Sequence, residues 1–119
     1  MQIAELRDEI ISSKAQAAFD VLVERFSAHP DYELLAHEQG FLNSLRILRG
    51  EEFCFAAVPN DEWVLAYIRK PELRRGKLTV EAAMAEFAQA RLTKAGEVTL
   101  RLSDADMADR WLAFVLQET

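Results

Sequence analysis

Two segments, Glu52–Val58 and Trp63–Arg69, limit what this chain can fold into more than any other feature. In the first, Phe53, Phe55 and Ala57 alternate with Cys54, Ala56 and Val58. In the second, Trp63, Leu65 and Tyr67 alternate with Val64, Ala66 and Ile68. Aromatic and β-branched residues at this density form strands, and Pro59-Asn60-Asp61-Glu62 between them supplies turn residues. The pair reads as an antiparallel hairpin. Its strands are apolar on both faces, so both faces must be covered, by the chain's own helices or by an interface.

The flanking sequence supplies helices. Over 2–28, Leu6, Ile10, Ala17 and Val21 form a stripe at helical spacing, widened by Ile11, Ala15, Ala18, Leu22 and Phe26. His29-Pro30 ends this helix, and Ser12-Ser13 is its weakest point, where Ser13 would cap a second half. A helix so apolar packs on a sheet, on a second subunit, or on both. Asp31–His37 reads as a short helix closed by Gly40. A strand follows at 44–48, where Leu45 and Ile47 alternate with Ser44 and Arg46. Thr79 caps a helix over 79–94 with Val80, Ala83, Met84, Phe87 and Ala88 inward, and Gly96 terminates it. Val98, Leu100 and Leu102 mark a strand over 97–102. Ser103 caps a last helix over 104–117 that buries Met107, Trp111, Leu112, Val115 and Leu116. The expected fold is α+β: residues 1–119 as one domain of two or three layers, with an antiparallel sheet of three or four strands.

A length of 119 residues suits one domain. Half of the residues are hydrophobic, which excludes a disordered chain. The lone Cys54 forms no internal disulfide, and Glu5, Arg7, Asp8 and Glu9 interrupt any signal-peptide core. No stretch approaches a membrane span of ~20 apolar residues. A cytoplasmic location is expected. The net charge of −6 disfavours nucleic acid and suits a basic protein partner.

One local anomaly stands out. Arg69, Lys70, Arg74, Arg75 and Lys77 place five of fourteen basic residues in nine positions, between a strand and a helix start. Arg74 and Arg75 would grip a phosphate while Gly76 lets the backbone approach. The alternative is a solvated loop that balances nearby acidic charge. Trp63 and Tyr67 are candidates for a pocket or a protein interface, and equally for plain core. His29 and His37 lack the further ligands a metal needs, and no cofactor motif is present. Cys54 sits between two phenylalanines and reads as a buried small hydrophobe.

A hairpin, then Arg74-Arg75-Gly76-Lys77, then a helix and a strand, resembles in element order the acyl-CoA-binding core of the GNAT acetyltransferases. That resemblance implies an anion held at Arg69, Arg74, Arg75, Gly76 and Lys77. The family pattern carries more glycine than Gly76, and Lys77-Leu78-Thr79 stands where its next glycine belongs, so the chain is not assigned to the family. With no catalytic set in the sequence, the leading expectation is a small acidic, non-enzymatic interaction protein acting as a homodimer. A small-molecule or acyl-CoA-type anion binder is the alternative.

Overall fold

The N-terminal apolar stripe folds as two helices, α1 (Ile3–Asp8) and α2 (Ser13–Ala28), in the computed structural model, which describes residues 1–40 and 42–117. The single helix over 2–28 is thus broken at its weakest point. Ser12 rather than Ser13 is the cap: its backbone is extended and its Oγ accepts the Ala15 N–H at 3.3 Å. A serine hydroxyl offers the backbone an alternative to continued helix. The break is pinned from outside, because the Ile11 and Ser12 N–H groups both donate to the Asp61 carbonyl, at 3.0 and 2.9 Å.

The sheet is larger than three or four strands. It has six: β1 (Glu33–Gln39), β2 (Leu42–Arg49), β3 (Glu52–Pro59), β4 (Val64–Ile68), β5 (Arg91–Leu92) and β6 (Val98–Leu102). All neighbours are antiparallel, in the order β1-β2-β3-β4-β6-β5. The hairpin read from sequence is β3–β4, with Phe55 opposite Ile68 and Ala57 opposite Ala66. The segment read as a helix over 31–37 is instead β1. Its Leu34 and Ala36 sit opposite Ile47 and Leu45, and this pairing outweighs a weak helical preference. Gly50, at φ +62°, takes the left-handed conformation that lets β2 turn tightly into β3.

Between β4 and β6 the chain is more broken than its periodicity suggests. The basic segment contains a short helix, α3 (Lys70–Arg74), with Pro71 in its first turn, where a missing N–H costs nothing. Thr79 caps α4 as expected, accepting the Ala82 N–H at 3.1 Å. However, α4 spans only Val80–Glu86, not 79–94, because Phe87 turns extended and buries its ring against Phe114, 5.6 Å between centroids. The residues released form β5. The last helix, α5 (Ala105–Val115), is capped by Asp104 rather than Ser103, through the Met107 N–H at 2.9 Å.

Strand register assigns the core. Leu45, Ile47, Phe55, Ala57, Val64, Ala66, Ile68, Leu100 and Leu102 share one face and are buried in a single cluster with side chains of the helices. Leu6 enters from α1, Phe19, Leu22 and Phe26 from α2, Ala83 from α4, and Trp111 and Leu112 from α5, while Leu73 of α3 packs at its margin. All helices therefore cover the same face. The two layers meet at three rings: Phe26 lies 5.6 Å from Phe55 and 6.2 Å from Trp111, which are 5.7 Å apart. No described helix is long and apolar enough to cross a membrane.

Removing the Phe26 ring leaves a cavity at this junction. Phe26→Ala is expected to lower unfolding free energy by about 3–5 kcal/mol in urea titration. A loss below about 1 kcal/mol would contradict the junction's role.

Candidate interaction surface

The face opposite the helices begins with the residues that alternate with the core. Leu35 and His37 of β1, Leu42, Arg46 and Leu48 of β2, and Phe53 of β3 lie on it, followed by Ala56, Val58, Leu65 and Tyr67. Thr99 and Arg101 of β6 continue it. Leu35 and Leu42 are 50% and 49% exposed, while Leu48, Phe53, Leu65 and Tyr67 are half-buried. The fold is thus two-layered, and the helices leave the outer face of the sheet uncovered; that face mixes apolar with polar residues, and Ala56, Val58 and Thr99 near its centre are nonetheless buried.

Arginines lie across the aromatic rings of this face. The Arg69 and Arg46 guanidinium carbons stand 4.0 and 4.7 Å from the Phe53 centroid, and that of Arg101 stands 4.1 Å from the Trp63 centroid. Such stacking lets a cation shield a ring from water while keeping its charge near solvent. Arg69 is held further by the Phe53 carbonyl, at 3.0 Å from Nη1, and by Glu97, whose Oε2 is 3.0 Å from Nε. Arg91, opposite Thr99, adds a fourth arginine. Against these the face sets Glu33 and Glu97, so it carries positive charge in a chain of net −6.

A β-bulge bends the middle of this surface. Ile47 faces Phe55 and Leu48 faces Phe53, which leaves Cys54 with no partner on β2. Bulges increase local twist and re-aim side chains. Here the bulge holds Phe53 outward and Phe55 inward although Cys54 alone separates them, where unbroken alternation would put both on one face. The Cys54 thiol is buried, donates to the Glu52 carbonyl at 3.5 Å, and has its pKa raised by that burial.

Trp63 and Tyr67 both lie on the outer face, Trp63 under Arg101 and Tyr67 between Ala56 and Thr99. The basic segment disperses. Arg69 joins the outer face. Arg74 reaches back to the Lys70 carbonyl at 3.5 Å and lines a shallow groove with Glu52, Pro71 and Arg75. Gly76, at φ +86°, serves the turn after α3. Arg75 and Lys77 also share a cleft, of about 180 Å³, with His29, Tyr32, Arg49 and Glu72.

In that cleft two of the three cations are already engaged. Glu72 is buried and accepts from Arg49 at 2.7 Å and from Arg75 at 3.4 Å, while Arg49 also donates to the Tyr32 hydroxyl. This network ties α3 to the end of β2. Its members lie far apart in the chain, and no sequence pattern announces it. His29 accepts the Asp31 N–H at 3.2 Å, and His37 lies apart on β1. Among the described residues no group of His, Cys, Asp and Glu is placed to hold a metal ion.

Comparison with family models, with curated proteins and with solved structures finds no match for this chain.

Burial raises the pKa of the Cys54 thiol and of the Tyr32 and Tyr67 hydroxyls; Arg49 opposes the shift at Tyr32, and the Glu97 charge adds to it at Tyr67. Each group folds best in its neutral, protonated form. Its contribution is therefore complete below the unfolded-state pKa and is lost as pH rises through the raised folded value. The urea midpoint should fall from about pH 9 upward, and in Cys54→Ala the fall should begin nearer pH 10. A midpoint that is flat or rising from pH 8 to 11 would contradict this assignment.

Proposed function

We propose that the protein is a non-enzymatic interaction protein that works as a homodimer and docks a partner polypeptide on the outer face of its sheet. One observation carries the reading. Every helix packs on one side, so a six-stranded sheet keeps an aromatic and arginine-lined face free. Aromatic rings and arginines dominate the energetics of protein contacts. The excess of Arg46, Arg69, Arg91 and Arg101 over Glu33 and Glu97 selects a partner whose apolar contact residues are ringed by carboxylates. This reverses the polarity of partner that the net charge alone suggests.

The small-anion alternative has less support. It was built on five residues of the 69–77 segment; Arg74 and Arg75 share a shallow groove with Glu52, Arg75 and Lys77 share a cleft, and in that cleft Glu72 already accepts from Arg75 and Arg49.

The test uses an acidic probe peptide of alternating Glu and Phe, followed by amide chemical shifts. Shifts should map to β3, β4 and β6, weaken with added salt, and fall at least tenfold in affinity in Arg101→Glu. Shifts confined to the helices, or none at millimolar peptide, would overturn the docking face. Coenzyme A that raises the melting temperature of the native protein and not of Arg75→Ala would favour the anion reading instead.

A further inference from the structure

The two edges of the sheet are unlike. One edge is β5, with two residues, too short to template another strand. The other is β1, seven residues without proline or bulge. Short edges, prolines, bulges and charged side chains protect against strand addition, and of these β1 carries only charges, at Glu33 and Glu38.

The direction of its backbone groups follows from one contact. The Gln39 N–H donates to Asn43 Oδ1 on β2, at 3.4 Å, so Gln39 points its backbone toward β2. In an antiparallel ladder, alternate residues point their N–H and C=O to the same side. Glu33, Leu35, His37 and Gln39 therefore bond to β2, and Leu34, Ala36 and Glu38 direct theirs out of the sheet.

We infer that β1 is the homodimer interface, pairing antiparallel with β1 of a second copy about a two-fold axis at Ala36. The inference rests on the homodimer part of the proposed function. The occupant is identified by self-complementarity. With Ala36 opposite the partner's Ala36, each of Leu34, Ala36 and Glu38 donates and accepts one backbone bond across the axis. Glu33 then faces the partner's Gln39, Leu34 faces the partner's Glu38, and Leu35 faces the partner's His37. No two like charges oppose each other, as an isologous contact requires. Leu35, half exposed in one copy, gains an imidazole ring beside it. The axis runs through the sheet, so the outer faces of the two copies join into one continuous surface with Phe53 and Tyr67 repeated on both sides.

Sedimentation equilibrium of the native protein should give about 27 kDa, twice the 13.5 kDa chain. Ala36→Pro should be monomeric with an unchanged circular dichroism spectrum, since its lost N–H serves no bond to β2 and proline is tolerated there. Leu65→Glu, on the outer face, should remain a dimer. A second measurement leaves the backbone intact: a nitroxide on Glu38→Cys, with the buried Cys54 unlabelled, should show dipolar broadening from a partner label. The backbone positions lie about 14 Å apart, four residues of strand rise at ~3.4 Å. A dimer that persists in Ala36→Pro, or one that shows no broadening, overturns the edge pairing and leaves the homodimer standing. A native protein that is a strict monomer at millimolar concentration overturns both.

Discussion

Phe26, Phe55 and Trp111 form the contact on which the rest of this molecule depends. Phe26 comes from α2, Trp111 from α5 and Phe55 from the central strand β3, and the three rings meet edge to face or tilted within 6.2 Å. Tyr32 extends the group, 5.3 Å from Phe26, and hands it on to Arg49 and Glu72. Rings bury large areas with few rotatable bonds, so a cluster of them sets the separation and orientation of two layers. Once α2 and α5 are fixed over β3, the remaining helices fill the margins of that same face. The other face of the sheet is left without cover by this arrangement.

A sheet open on one side normally shows polar residues there. This one sets apolar and aromatic residues among its polar ones, and the arginines explain how they are tolerated. Guanidinium groups laid on Phe53 and Trp63 shield the rings and bring charge to the surface, while Glu97 and the Phe53 carbonyl fix Arg69 in place. The same arrangement is well formed for contact, with exposed apolar area, donors at its surface and a sign of charge opposite to that of the whole chain. Pairing of β1 about Ala36 would double this face without a change in either copy's core.

The hairpin, the strand at 98–102, the Thr79 cap and the last helix were legible because each has a strong local signal: alternation, a turn cluster, or a capping residue before an apolar stripe. The question raised by Trp63 and Tyr67, whether their face is covered from within, was also legible, though its answer was not; Phe53, expected beside Phe55 and Ala57, joins their face only through the bulge at Cys54. What escaped had two physical causes. Residues 33–39 carry no decisive period, so only pairing with β2 makes them a strand. The segment from Phe87 to Leu92 continues a helical pattern on paper, but Phe87 gains more from packing on Phe114 than from another turn of helix. The arrangement of the basic segment escaped for a third reason, since proximity in sequence does not by itself fix which side chains converge. Pro71 starts a helical turn that leaves Arg69 on the outer face, while Arg74 and Arg75 line a shallow groove with Glu52 and Arg75 also reaches Glu72.

Amide hydrogen exchange along β1, followed as a function of protein concentration, tests the central claim most directly. Leu35 and His37, bonded to β2, should exchange slowly at every concentration. Leu34, Ala36 and Glu38 should exchange slowly at high concentration and become fast on dilution, as the partner strand leaves. Fast exchange of those three amides at all concentrations would contradict the account.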